Sequence, residues 1–224
     1  SVYRALYKNP SGALNVVMGY EAGGCNATGG CNVGLGYKTL LCNETGHCNT
    51  AVGGCALRVT TVGCNVAFGA FALLSNTTGA NNTAVGTGTL ISNTTASGNT
   101  AIGRQALSDT TTGANNTASG YKALEANTTG EKNSAVGTGA MIANTTGGFN
   151  SGMGYYAFGS NTTASYGAAL GYYALADNTT GTRNTASGYG ALKSNTTGCY
   201  NTAHGMSALY RNTTASYNAA LGTY

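Results

Sequence analysis

The sequence predicts an all-β protein, a parallel β-solenoid (β-roll or β-helix) of about thirteen coils of 17 residues each. The stretch 82–98 reads NTAVGTGTLISNTTASG, and the next two stretches of equal length repeat its pattern. A glycine recurs at one fixed place in the unit, and the abundant Gly, Asn and Thr give the unit low helix propensity. Self-similarity at a fixed short period is typical of a solenoid, in which each unit forms one coil stacked on its neighbours.

The units keep a strict register when they are counted from their leading residue as positions 1 to 17. Ser1 to Leu14 supply positions 4 to 17 of a first unit, and the last unit stops at Tyr224. Only the unit at Asn49 is one residue short. This register leaves no linker, so residues 1–224 are predicted to form a single repeat array, and we expect its partial end units to be uncapped. The units begin at Asn15, Asn32, Asn49, Asn65, Asn82, Asn99, Asn116, Asn133, Asn150, Gly167, Asn184, Asn201 and Asn218.

Positions 2 to 6 are predicted to form a strand whose side chains alternate between two faces. Position 3 is nearly always Ala, and position 5 is Gly in every unit except the first, where it is Val2. We expect this small face to point inward, because interiors are close-packed, with the Leu common at position 9 filling the wider end. The NTTG segment at positions 12 to 15 is predicted to be a turn.

Position 4 should then point outward, although it is largely apolar. A continuous exposed apolar stripe on a protein surface marks an interface. The alternative is that inside and outside are reversed and this stripe is the core. Tyrosines recur at position 6, where they could stack on a sugar or a partner, or stabilise the sheet itself. The candidate interface residues are Val52, Phe68, Val85, Ile102, Val136, Met153, Leu170, Tyr155, Tyr172 and Tyr189.

Three successive units carry pairs of cysteines, and we predict disulfides among them. The favoured pairing closes each unit on itself: Cys25 with Cys31, Cys42 with Cys48, and Cys55 with Cys64. The alternative is a ladder between adjacent coils, Cys25 with Cys42 and Cys31 with Cys48, because stacked strands lie about 4.8 Å apart. Disulfides predict an oxidising compartment, which is extracellular or periplasmic. A zinc site with His47 is the functional competitor, and Cys199, the odd cysteine, is a candidate intermolecular thiol.

Asparagines within N-x-T recur at position 12, and two further sites follow the same rule. They are candidate N-glycosylation acceptors on exposed turns. The alternative is an asparagine ladder, in which stacked amides hydrogen-bond from coil to coil. The leading Asn at position 1 is expected to form such a ladder alone. The candidate acceptors are Asn26, Asn43, Asn76, Asn81, Asn93, Asn115, Asn127, Asn144, Asn161, Asn178, Asn195 and Asn212.

Composition and charge narrow the function. The net charge of +4 comes from 10 basic and 6 acidic residues without a cluster, so no nucleic-acid partner is expected. No run of about 18 apolar residues exists, so no membrane insertion is expected. The acidic residues and two histidines are scattered through the units, so the sequence predicts neither an enzyme nor a cofactor.

The segments NTAVG at 82–86 and NTAIG at 99–103, with a following Ala-Leu or Thr-Leu pair, carry a family resemblance. They resemble the short repeats in the heads of trimeric autotransporter adhesins and related repeats of phage tail fibres. The resemblance extends over nearly every unit. It implies a β-roll of parallel strands that works outside the cell as an adhesive or structural fibre.

The sequence therefore predicts an extracellular structural protein that self-associates into a filament or fibre shaft. The alternative is a binding module, an adhesin head or viral tail fibre that recognises a surface glycan or protein. Ice binding is a third hypothesis, because paired threonines at positions 13 and 14 would form regular ranks along one edge.

Overall fold

A computed structural model describes residues 3–223 of the chain. Ser1, Val2 and Tyr224, which belong to the incomplete first and last units, lie outside the described residues. The described part is all-β and contains no helix, so the predicted fold class is confirmed. Its strands are β1 (Val16–Met18), β2 (Val33–Leu35), β3 (Cys42–Asn43), β4 (Thr50–Val52), β5 (Val59–Thr60), β6 (Val66–Phe68), β7 (Thr83–Val85), β8 (Thr100–Ile102), β9 (Thr117–Ser119), β10 (Ser134–Val136), β11 (Ser151–Met153), β12 (Ala168–Leu170), β13 (Thr185–Ser187), β14 (Thr202–His204) and β15 (Ala219–Leu221).

The chain divides into two compact units, Ser1–Ala114 and Asn115–Tyr224. From here on they are the first unit and the second unit, and a single repeat of the sequence is called a coil. In the first unit β1, β2, β4, β6, β7 and β8 pair in this order as parallel neighbours, and β3 pairs with β5 in a second, smaller sheet. In the second unit β9 to β15 pair in chain order, again in parallel. Each unit is thus a β-solenoid, and the two together supply the thirteen strands that occupy positions 2 to 4 of the repeat.

The pairing register follows the sequence period. Thr83 lies opposite Thr100, 17 residues later, whereas Thr50 lies opposite Val66, because the coil between them has 16 residues. The missing residue falls in the turn. Asn49 Nδ2 donates to the carbonyl of Val62, 13 residues on, while the corresponding bonds of neighbouring coils reach 14 residues on.

The core of each coil is narrow and is filled by small residues and one large one. In the first unit Ala101, Ala106 and Leu107 are completely buried. Their neighbours on the strand, at positions 2 and 4, point outward. The assignment of positions 3 and 9 to the interior is therefore confirmed, and the reversed alternative is wrong. Position 8 joins them in the interior, whereas the glycine at position 5, Gly103, is only half-buried.

Glycine at position 5 is required by the distance between coils. Gly137 has φ +129°, and a Cβ built on it would lie 2.5 Å from the carbonyl oxygen of Gly154, the glycine of the next coil. Two backbones therefore touch where the strand ends, and no side chain fits between them.

Left-handed backbone at positions 7, 9 and 17 was not predicted. Lys122, Leu124 and Tyr166 represent these positions, with φ values of +57°, +54° and +62°. Such a conformation costs a non-glycine residue roughly 1–2 kcal/mol. Two hydrogen bonds hold it in place: the Leu124 N–H donates to the carbonyl of Ala140 in the next coil, and the Leu124 carbonyl accepts from Asn127 N–H in its own coil. These three bends close the chain into a tight coil.

Candidate functional site: polar columns and outer faces

The asparagines at position 12 point inward and form what we call the inner asparagine column. Asn144 Nδ2 donates to Oδ1 of Asn127, one coil earlier, at 2.8 Å and to the carbonyl of Gly147 at 3.0 Å. Asn161 repeats both bonds, to Asn144 and Ala164. The column's side chains are buried except at Asn9 and Asn212, which are half-buried. This arrangement is the asparagine ladder that was the alternative to glycosylation.

Burial argues against glycosylation of the inner asparagine column, because a glycan must be joined to the amide nitrogen that donates these bonds. The acceptors were expected to be accessible because they begin a turn. The turn is exposed, but the side chain of its first residue, the asparagine at position 12, points into the coil. Asn81 and Asn115, by contrast, are exposed. The acceptors buried in the column are Asn26, Asn43, Asn76, Asn93, Asn127, Asn144, Asn161, Asn178 and Asn195.

The asparagines at position 1 form a second, leading asparagine column, as predicted. Asn133 N–H donates to Oδ1 of Asn116 at 2.9 Å, and Asn133 Nδ2 donates to the carbonyl of Gly147 at 2.8 Å. The Gly147 carbonyl thus accepts from both columns, which ties the turn to the start of the strand within one coil.

All seven cysteines are free thiols in this structure, so the predicted disulfides are not found. Equivalent positions stack from coil to coil, and the thiol of Cys42 therefore faces Cys25 in the adjacent coil rather than Cys48 in its own. Burial raises the pKa of the Cys42 thiol, and the neighbouring Cys25 thiol raises it further. Three exposed cysteines, Cys31, Cys48 and Cys64, share position 17 of successive coils.

The remaining cysteine predictions concern Cys55, Cys199 and zinc. Cys55 occupies position 7, away from Cys64 at position 17 of its coil. Cys199 is half-buried, and its Sγ accepts from the Thr182 N–H at 3.3 Å. His47 Nδ1 accepts from Gly30 N–H at 2.9 Å. Among residues 3–223 no three His, Cys, Asp or Glu side chains are placed to hold a metal ion together.

The residues at position 4 form an outer apolar stripe on each unit. Val85, Ile102, Val136 and Leu170 are between 37% and 53% exposed. Phe68 and Met153 are similarly exposed, and Val52 is half-buried. The outward direction of the predicted interface residues is therefore confirmed, while their role as an interface stays a prediction.

The tyrosines at position 6 stack in two separate groups. In the second unit Tyr155, Tyr172 and Tyr189 stack with ring centroids 5.1 and 5.3 Å apart. In the first unit Tyr20 stacks between Tyr3 and Tyr37, at 5.4 and 5.6 Å. Such pairs contribute about 0.5–1.5 kcal/mol each beyond their buried area. The stabilising interpretation thus has direct geometric support, and the outer ring edges stay exposed.

The threonine ranks are only partly available to an outside surface. The hydroxyl of Thr77, at position 13, donates to the carbonyl of Thr94 at 3.0 Å, and Thr128 and Thr145 repeat this bond along the second unit. The hydroxyls of the first rank are therefore used within the solenoid, which weakens the ice-binding hypothesis.

A groove lies beside the tyrosine stack of the second unit, and we call it the tyrosine groove. Tyr173, Asp177, Tyr189, Lys193 and Tyr210 line it, and its volume is about 330 Å³. Lys193 Nζ donates to Tyr210 Oη at 3.2 Å, and this hydrogen bond raises the pKa of Lys193. Desolvation raises the pKa of Tyr173, with the nearby Tyr155 adding to the rise.

The tyrosine groove was missed in the sequence because its residues lie at four different positions of the coil, 6, 7, 10 and 11. The available signal is the column at position 7, which runs Lys122, Gly139, Tyr156, Tyr173, Gly190 and Ser207 through the second unit. A glycine follows two tyrosines in this column, and the absent side chain leaves room for the Tyr210 ring over Gly190.

No protein-family model, curated protein or solved structure matches this chain. The resemblance to adhesin heads therefore stays a prediction from the repeat. Residues 3–223 also contain no helix of the length and apolar character needed to cross a bilayer.

Proposed function

We propose that this chain is an extracellular structural protein that assembles into a filament or fibre shaft, in which the coils of successive copies stack on one another. The observation that carries the proposal is the interchangeability of coil faces. Asn144, Asn161 and Asn195 each donate to the asparagine one coil earlier, at 2.8, 2.7 and 2.7 Å. Because the same donors and acceptors recur, the face of one coil fits the face of any other.

One coil face of the second unit is open and could receive a further coil. Leu209, Asn212, Asn218 and Ala220 line an open cavity of about 750 Å³. Their counterparts one coil earlier, Leu192, Asn195, Asn201 and Ala203, are buried. A further coil, supplied by the same polypeptide or by a second copy, would bury this face in the same way. Among residues 3–223, β15 pairs with β14 alone, and an unpaired strand edge is a template for another strand.

The extracellular location rests on the resemblance of the repeat to adhesin heads. The free thiols of this structure give it no additional support. The outer apolar stripe supports side-by-side association of shafts, because it presents one apolar residue in most coils of each unit to the surroundings.

Electron microscopy of the purified 224-residue chain over a range of concentrations tests the proposal. We expect unbranched filaments whose length increases with concentration. Ala220→Lys places a charge on the open coil face and should abolish elongation. Ala219→Lys is the matched control, because Ala219 precedes it on β15 and points outward.

Circular dichroism should report the same β-structure for both variants. Single particles at every concentration of the unmodified chain would overturn the proposal. Filaments that form equally well from Ala220→Lys would exclude elongation through this coil face.

A second candidate function, a binding module of the adhesin-head or tail-fibre type, is favoured by one observation. The exposed edges of Tyr155, Tyr172 and Tyr189 form a regular aromatic surface in the second unit. A glycan array probed with the Tyr155→Ala, Tyr172→Ala double variant tests it, since loss of a signal seen with the unmodified chain would support this function.

A further inference from the structure

The position-7 column of the second unit is interrupted beside Tyr173 by Gly190, which carries no side chain. Backbone bonds fix the column: the N–H of Tyr173 donates to Tyr155 O, that of Gly190 to Tyr172 O, and that of Ser207 to Tyr189 O. Tyr173 packs edge-on against Tyr172, with ring centroids 4.6 Å apart. On its other side the next residue of the column is Gly190, which has no side chain to cover it.

The Tyr210 ring packs directly over Gly190. A Cβ built on Gly190 would lie 3.2 Å from Cε2 and 3.3 Å from Cδ2 of the Tyr210 ring. The missing side chain at 190 therefore gives room to the Tyr210 ring, which lines the groove together with Tyr173 and Tyr189. The volume of about 330 Å³ falls at the lower end of the ~300–1,000 Å³ found for small-molecule sites.

Two side chains of opposite charge converge on the same space. Lys193 Nζ lies 5.8 Å from the ring centroid of Tyr173 and 5.3 Å from that of Tyr210. Asp177 lines the groove close enough to Lys193 to interact with it electrostatically. The groove therefore offers ammonium and phenol donors, carboxylate and phenol acceptors, and almost no net charge.

We propose that the tyrosine groove binds one pyranose ring of a neutral glycan. A pyranose presents a face of C–H groups, which packs on an aromatic ring, and a rim of hydroxyls, which donate to Asp177 and accept from Lys193. A small number of placed polar groups within an aromatic lining is the usual construction of such a site. Phosphate backbones of nucleic acids need a cationic surface, and the Asp177 carboxylate opposes one here.

This site goes beyond the filament proposal and does not depend on it. The groove shares Tyr210 with the open coil face, so sugar binding is measured on single chains, at concentrations below filament formation. Failure of the chain to form filaments would leave the sugar site untouched, and failure to bind sugar would leave filament assembly untouched.

Saturation-transfer difference NMR with methyl pyranosides of glucose, galactose and mannose, and with glucuronate, tests the proposal. We expect a signal from at least one neutral pyranoside. Gly190→Gln should reduce binding at least tenfold, because its side chain would displace the Tyr210 ring that lines the groove. The backbone tolerates glutamine at position 7, as Gln105 shows in another coil with the same left-handed conformation. Asp177→Asn and Tyr189→Ala should also weaken sugar binding.

Gly88→Gln is the matched control for Gly190→Gln. Gly88 also occupies position 7, has φ +67°, and has only Gln105 Cγ, at 3.8 Å, near a built Cβ. We expect Gly88→Gln to bind as the unmodified chain does. The proposal is overturned if no pyranoside gives a signal, if Gly190→Gln binds normally, or if glucuronate is preferred over the neutral sugars.

Discussion

Asn93 donates a hydrogen bond of 2.6 Å to Oδ1 of Asn76, yet its own Oδ1 is buried without a partner among the described residues. The next coil has Thr110 at the same position, and threonine carries no amide group to donate. Asn43 repeats this situation before Thr60. A buried acceptor without a donor costs about 1–3 kcal/mol. The inner asparagine column is therefore weakened wherever a threonine replaces an asparagine.

Thr110→Asn should repair one of these interruptions. The new amide would donate to Asn93 Oδ1, so we expect the free energy of unfolding to rise by about 1 kcal/mol. Thr112→Asn, on the exposed side of the same turn, is the control and should have little effect. Urea unfolding followed by circular dichroism measures both. A destabilised Thr110→Asn variant would show that the column does not limit stability here.

Asn161→Ala should have the opposite effect. It removes the amide that donates to Asn144 Oδ1 and to the Ala164 carbonyl, and leaves both acceptors buried. We expect a loss of about 1–3 kcal/mol in the free energy of unfolding. Thr163→Ala changes an exposed residue of the same turn and serves as the control. Equal unfolding curves for the two variants would contradict a structural role for the column.

Two glycines should respond differently to the same substitution. Gly137→Ala would place a methyl group 2.5 Å from the Gly154 carbonyl oxygen and keep a strained φ, so we expect a loss of at least about 2 kcal/mol. Gly54→Ala meets no atom within 4 Å and should be neutral or stabilising by up to about 1 kcal/mol. Thermal unfolding of the two variants measures this difference. Similar midpoints would mean that the coils can move apart at position 5.

The Cys42 thiol should react slowly with iodoacetamide. Burial raises its pKa, and Cys25 adds to the rise, so a smaller fraction is thiolate at a given pH. We expect exposed Cys31 to be alkylated first at pH 8, and the Cys42 rate to continue to increase at higher pH. Peptide mass spectrometry measures each rate. Cys25→Ser removes the second cause and should accelerate Cys42, and an unchanged rate would contradict their contact.

Glycosylation should be confined to the two exposed acceptors. When the chain is secreted from a eukaryotic host, we expect the folded product to carry glycans at Asn81 and Asn115 alone, because the amides of the inner asparagine column are engaged. Intact mass before and after enzymatic deglycosylation counts the glycans. The Asn81→Gln, Asn115→Gln variant should show no mass shift, and a glycan on Asn161 of folded protein would contradict the column.

The fold could be predicted from two features of the sequence, the constant side-chain volume at certain positions and the period of the repeat. Ala101 and Leu107 lie at positions that hardly change, which identified the interior, and the 17-residue spacing specified which residues stack. The direction of the Asn161 side chain was less predictable. Asparagine in a turn is equally suited to solvent and to a buried amide column, and only the coil's curvature decides between them.

The left-handed residues and the tyrosine groove could not be predicted from the sequence, because both depend on contacts between different coils. Leu124 is a poor residue for positive φ, so its conformation follows from hydrogen bonds to the next coil rather than from its own preference. The groove depends on where the Tyr210 ring lies relative to Gly190. These two residues are 20 positions apart in the sequence and do not occupy equivalent positions of their coils.

The short coil that begins at Asn49 has a practical consequence. Its turn is one residue shorter than the others. Asn65 N–H nevertheless donates to Asn49 Oδ1 at 3.0 Å, the same bond that joins the leading asparagines of complete coils. A change of length in this turn, which we call the corner, therefore does not disturb the leading asparagine column or the strand pairing. The corner is therefore the place where a foreign peptide could be grafted for display, and where a lineage of such proteins could acquire new loops without rebuilding its scaffold.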